Sequence, residues 1–216
     1  MDSGHDKYNV SGNVESQYVD EAQQVLVNKR GITDLTTLGI AEEEGLARAY
    51  EALLSDVLSD TPMTCDLIRH VHQRIFGDLY EWAGRWRTVQ ISKPGAIWPA
   101  AQFLDQSMAT FEREVLAKFP ASQLTDEEIF CAASSEIQGE FLSIHPFREG
   151  NARTIKVLNN LLAAQTGRPP LLYDSSPAGQ TAYVDGAKAA LAKKDYGPLE
   201  RIIWAALEAG RTDSSP

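Results

Sequence analysis

The segment from Ser143 to Lys156 reads Ser-Ile-His-Pro-Phe-Arg-Glu-Gly-Asn-Ala-Arg-Thr-Ile-Lys, which brings an imidazole, a carboxylate and two late cations into one short stretch. Pro146 disfavours the α region for His145, so a preceding helix should stop near Ile144 and turn the imidazole outward. A new helix beginning around Gly150 and Asn151 would set its unpaired N–H groups and positive dipole end beside that ring, which is an anion site. Arg153 and Lys156 share a face of the first turns, where cations oppose the helix dipole and call for an anionic ligand. These features describe a polyphosphate site. Glu149 would repel such a ligand alone, but a carboxylate beside phosphates is a hard-oxygen anchor for Mg2+, whose other ligands are phosphate and water. With phosphates held, a neutral His145 can take the proton of an incoming hydroxyl. Its ordinary pKa of about 6.5 suits that task, and such proton transfer is worth roughly 10² to 10⁴ in rate.

Blander readings exist for the same residues. A histidine before proline is often only a loop residue. Glu136, Glu140, His145 and Glu149 could be metal ligands at helical spacing, but Pro146 interrupts the face they would share. His70 and His72 stand two apart on a helix and cannot share a face, which favours a solvated or partly packed role. Trp82 reads as core, whereas Trp98 fits target contact and core packing equally.

The elements that must position these groups read as mostly helical. Residues 1–17 are polar and aperiodic and are expected to form a flexible arm, followed by a folded unit over 18–210 and a flexible tail over 211–216. A short helix through Val25 and Val27 should end at Gly31. Longer helices are expected over residues 40–58, 64–79, 102–118, 125–144, 151–165, 178–192 and 198–209. Thr125 with Glu128 three residues on reads as the capping box of the fifth of these eight. Residues 86–98 break the pattern: Val89 and Ile91 alternate with polar neighbours and Pro94-Gly95 supplies a turn, so a small β-hairpin is expected.

With 216 residues the chain suits a single domain. A net charge of -10 argues against general nucleic-acid binding, so any phosphate chemistry must come from a local pocket. Cys65 and Cys131 are far apart on helical stretches, as expected of reduced thiols. No signal peptide or membrane span is read, which points to the cytoplasm, with translocation into another cell left open.

HPFREGNARTIK resembles the signature of the Fic family, His-Pro-Phe-x-(Asp/Glu)-Gly-Asn-Gly-Arg-x-x-Arg, at seven of its nine fixed positions. LYEWAGRWRTVQISK, residues 79–93, resembles the stretch leading into that family's hairpin flap, and VLVNKRGITDLTTL, residues 25–38, resembles its N-terminal region. The resemblance implies an all-α, Fic-type helical bundle with one small β-hairpin flap. It also implies transfer of AMP from ATP to a Ser, Thr or Tyr hydroxyl of a target protein. His145 would be the base, Glu149 would hold Mg2+, and Gly150, Asn151, Ala152, Arg153 and Lys156 would bind the nucleotide. Phe147 would anchor the loop in the core. The flap residues Thr88, Val89, Gln90, Ile91, Ser92, Ile97 and Trp98 would hold the target by strand addition.

Two departures bear on the donor. Ala152 replaces the signature's second glycine, and Lys156 replaces its last arginine and loses a planar fork. UMP transfer, a kinase-like reaction, or a catalytically faded binding module are the rival readings. Fic proteins are commonly silenced by (Ser/Thr)-x-x-x-Glu-(Gly/Asn). The nearest match is SGNVES, Ser11–Ser16, which ends in Ser, and the C-terminal WAALEAG lacks the hydroxyl residue. The chain is therefore expected to be open, restrained by Glu15, or held by a small antitoxin-like protein.

Overall fold

A computed structural model describes residues 13–56, 60–93 and 96–213. Among them lie seven α-helices: α1 (Leu35–Asp56), α2 (Cys65–Phe76), α3 (Leu104–Glu114), α4 (Glu127–Ile144), α5 (Asn151–Gln165), α6 (Pro177–Lys193) and α7 (Gly197–Asp213). The one sheet among them is an antiparallel pair, β1 (Ser92–Lys93) with β2 (Ala96–Ile97), in register Ser92 with Ile97 and Lys93 with Ala96.

Helix α4 is buried over most of its surface. Phe130, Ala133, Ile137, Phe141 and Leu142 are buried on it, and it packs against α3, α5, α6 and α7. Helix α5 divides the core. Ile155, Leu158 and Leu162 face the cluster around α4, while Val157 and Leu161 face a second cluster built on α1, α2 and Trp82. Each such side chain contributes about 1.5 to 3 kcal/mol on burial, so the start of α5 is held from both sides. Thr64 caps α2 by accepting from Leu67 N–H, and Ser176 caps α6 ahead of Pro177.

Several expectations need correction. No helix passes through Val25 and Val27. The Asp20 carboxylate instead accepts from the N–H groups of Gln24 and Val25, closing a turn that pairs Tyr18 with Leu26 in an antiparallel bridge. The cap of α4 is Asp126, accepting from Ile129 N–H, so Glu127 and Glu128 both lie in the first turn, where the dipole favours them. The hairpin is confined to its tip, and its expected Pro94-Gly95 turn lies outside the described residues. Most of the expected arm, residues 1–12, also lies outside them. Residues 13–17 pack on the body, with a 3-10 turn at Val14–Ser16 and Glu15 buried. Helix α7 runs on to Asp213, into the expected tail, and residues 214–216 lie outside the described set. Cys65 and Cys131 are both free thiols. No described helix is long and apolar enough to cross a membrane.

Candidate active site

The loop between α4 and α5 is built from both ends. His145 closes α4, donating its N–H to Phe141 O, and takes a left-handed conformation at φ 52° that turns the chain sharply before Pro146. A non-glycine residue rarely adopts that region, so the surroundings must hold it there. Arg87 does much of the holding. Its N–H donates to Pro146 O, and its guanidinium donates to His145 O at 3.0 Å, Val89 O at 2.9 Å and Pro99 O at 2.7 Å. One buried cation thus joins the loop to both strands' approaches.

Asn151 fixes the other end. Its side chain accepts from Phe147 N–H and donates to Phe147 O, both at 2.9 Å. The Phe147 ring is fully buried and stacks on His72, centroids 3.7 Å apart. His72 Nδ1 accepts from Gly84 N–H, so the proton sits on Nε2, which donates to Glu149 O at 3.0 Å. Burial pushes His72 down to about 3, and it stays neutral. His72 is therefore a buried brace, against the expectation of a solvated or partly packed residue; His70 is exposed.

The His145 ring stacks on Trp98 with centroids 4.1 Å apart. Its Nδ1 lies 3.3 Å from Leu142 O, which also accepts from Trp98 Nε1–H at 3.0 Å. A carbonyl can only accept, so Nδ1 carries the proton and Nε2 keeps its lone pair. Burial pushes the imidazole down to about 4, helped by Lys93 and Arg87 and opposed by the Leu142 bond and Glu149. The ring borders a cavity of about 360 Å³, with Trp98, Leu142, Ala152, Tyr183 and Leu191 among its walls.

Gly150 begins α5 at φ 79°, and a Cβ there would lie 2.3 Å from the Phe76 ring. Glycine is required on both counts. Helix geometry leaves the N–H groups of Asn151, Ala152 and Arg153 without intrahelical acceptors. Glu149 Oε1 accepts from Gly150 N–H at 2.9 Å and lies 3.5 Å from Arg153 Nη2. Its side chain is 45% exposed, open enough for a cation held mainly by phosphate and water. Among the described residues no three His, Cys, Asp or Glu side chains form a ready metal cage. Glu136 and Glu140 bond Lys118 and Lys194 instead.

Arg153 is engaged. Its Nη1 lies 2.7 Å from Glu42 Oε2, and Glu42 also accepts from Tyr80 OH at 2.6 Å. Lys156 lies over the rings of Tyr183 and Tyr173, at 4.1 and 4.7 Å, and burial pushes its pKa down. Both cations border a second cavity of about 450 Å³ with Glu43, Tyr50 and Tyr173, so they share a face as expected but not the chamber of His145. Asn151 is buried against Phe147, and its side chain does not line the site.

Along the flap, Val89, Ala96 and Trp98 face inward, Ile91 is half-buried, and Gln90, Ser92 and Ile97 are exposed, Ile97 at 82%. Trp98 is therefore a wall of the site. Thr88 is bound by Asn13 and Glu15, which takes its N–H out of any added strand. The Glu15 carboxylate meets Thr88, not Arg153; Ser11 and Gly12 of the same motif lie outside the described residues.

Arg87 and Glu42 do not stand out in the sequence, and His72 reads there only as solvated or partly packed. His72 carried a signal, since Ile68 and Phe76, four residues to either side, belong to the apolar stripe of α2. Arg87 and Glu42 carried none, because their partners are remote in the chain.

Residues 62–163 match the family model for the Fic/DOC family. Protein adenylyltransferase VbhT of Bartonella schoenbuchensis is 31% identical over 154 residues, covering 69% of this chain and 31% of that protein. Probable protein adenylyltransferase y4lH of Sinorhizobium fredii is 27% identical over 154 residues, covering 71% of this chain and 78% of that protein. The chain thus spans about a third of VbhT and most of y4lH. The crystal structure of BepC, a VirB-translocated effector from Bartonella tribocorum with bound AMPPNP, matches with a TM-score of 0.73. That match is at 16% identity and covers 90% of this chain and 97% of that one, which shows a shared fold.

Proposed function

We propose, from the premise that this chain belongs to the Fic/DOC family, that it transfers AMP from ATP to a Ser, Thr or Tyr hydroxyl of a target protein. The reading is carried by one observation: a neutral imidazole with Nε2 free stands between an apolar cavity and the start of a helix. The cavity is of a size for a nucleoside, with Trp98 and Leu142 among its apolar walls. The first-turn N–H groups of α5 would take the phosphates, with Arg153 and Lys156 on the far side. Glu149 would hold Mg2+, which supplies charge neutralisation on the phosphates when bound.

In the step itself, the target hydroxyl oxygen bonds to the α-phosphorus as the bond from that phosphorus to the β-bridging oxygen breaks. Pyrophosphate leaves, and the hydroxyl proton passes to His145 Nε2. An imidazole with a pKa of about 4 is always free to accept, and an adjacent triphosphate would raise its basicity by favouring the cation. Gln90, Ser92 and Ile97 would meet the target at the flap.

Both names of the relatives support AMP as the transferred group, and the effector neighbour fits a chain delivered into another cell. A small antitoxin-like partner would restrain the enzyme. Ala152 and the seating of Lys156 on two tyrosines favour testing a panel of labelled nucleotides, since both bear on donor choice. The direct test is intact-mass analysis of lysate proteins after incubation with this chain, ATP and Mg2+. A discrete protein heavier by one AMP supports the reading; a shift by phosphate or UMP, or no shift, removes it.

A further inference from the structure

The segment from Asn13 to Tyr18 joins two parts of the site that are far apart in the chain. At one end, Glu15 Oε2 accepts from Thr88 N–H at 2.8 Å, Oε1 accepts from the Thr88 hydroxyl at 3.2 Å, and Asn13 Nδ2 donates to that hydroxyl at 2.7 Å. At the other, Arg148 Nε donates to Glu15 O at 2.7 Å and Nη2 donates to Tyr18 OH at 2.6 Å, with the guanidinium 5.6 Å from the Tyr18 ring. Thr88 opens the flap, and Arg148 lies three residues beyond His145. Glu15 is 5% exposed, and its charge favours the buried Arg87 cation, which itself holds His145 O.

A carboxylate buried to this degree is costly unless it is bonded, and here its oxygens bond the N–H and hydroxyl of Thr88 at the flap base, while the main-chain carbonyl of the same residue takes Arg148 from the loop. We propose that Asn13–Tyr18 is a strap that positions the flap base against the His145 loop, with Glu15 as a positioning residue for the reaction. This rests on the transfer reading given above. It assigns Glu15 the opposite sign to an inhibitory glutamate: removing it lowers activity. Its contacts lie on Thr88 and Arg148, away from Arg153, so the nucleotide side of the site should feel little.

The test compares the full chain with Glu15→Ala, Glu15→Gln and Arg148→Ala. Labelling of a soluble protein extract with α-phosphate-labelled ATP is followed at saturating and limiting extract. Misplacement of about 1 Å costs about 100-fold, so Glu15→Ala and Arg148→Ala should each lose roughly 10- to 100-fold at limiting extract. Glu15→Gln keeps an oxygen for Thr88 N–H and should recover part of the loss. ATP half-saturation should stay within about 3-fold. Amide exchange of Arg87, Thr88 and Phe147 should quicken while that of α4 does not. A rise in labelling on Glu15→Ala, a uniform quickening of exchange, or unchanged labelling overturns the strap. If the unaltered chain labels nothing, the transfer reading has failed instead; if it labels and the variants do also, only the strap has.

Discussion

Trp98 and His145 converge on one acceptor: the indole N–H and the imidazole Nδ1–H both point at Leu142 O, at 3.0 and 3.3 Å, while their rings stack 4.1 Å apart. The flap residue therefore sets the tilt of the imidazole by stacking, while Leu142 O, in the last turn of α4, sets its tautomer.

Trp98→Phe keeps the stack and removes one donor, so urea unfolding should show a loss of about 1 kcal/mol with the labelling rate reduced only a few-fold. Trp98→Ala removes the stack as well and frees the ring to rotate, and kcat/KM should fall by roughly 100-fold. Equal rates for the two variants would separate the indole from the orientation of His145.

Gly150→Ala places a methyl group into the Phe76 ring at a backbone angle that side chains avoid, and it should cost more than about 2 kcal/mol in urea unfolding. Gly31→Ala is the comparison. It has φ 64° but nothing within 4 Å, so it should cost only about 1 kcal/mol, the backbone part alone.

Burial holds His72 at about 3 and His145 at about 4 in the folded chain, below the ordinary value of about 6.5. The unfolded chain takes up these protons first as the solution is acidified. Stability is thus fully present above about pH 6.5 and falls from there toward about pH 4, by up to about 1.4 kcal/mol per pH unit for each histidine. Urea midpoints near pH 7 and near pH 5 check the slope, which His72→Gln should reduce. Labelling at limiting ATP, which reports the free chain, should lack between about pH 6 and pH 8 the rise that a base of pKa near 6.5 would give.

Arg153 neutralises Glu42, which is 8% exposed. Arg153→Ala leaves that carboxylate without its cation and should destabilise the fold by about 3 kcal/mol. Adding Glu42→Gln should return part of the stability but none of the ATP affinity, read by calorimetry. Return of both would remove Arg153 from the phosphate site.

The loop was legible because its signals are local. Pro146 stops one helix, Gly150 opens the next, and α5 spans Asn151–Gln165 as the pattern indicated. The start of α1 was missed for a physical reason. Asp34 Oδ1 caps at Thr37 N–H, but Leu35 and Ile40 are exposed, so the apolar stripe misleads about where the helix begins. The braces of the site were not legible at all. Arg87 joins carbonyls at positions 89, 99 and 145, and Glu42 meets an arginine 111 residues away; no periodicity encodes such pairings. Glu15 stood out only as part of a motif, and its partner in the structure is Thr88.

The central claim is that His145 Nε2 accepts the hydroxyl proton as AMP is transferred. His145→Ala should keep ATP binding within about 3-fold by calorimetry, while transfer of label from ATP to protein falls by at least about 100-fold. Undiminished labelling by a folded, ATP-binding His145→Ala chain would contradict it.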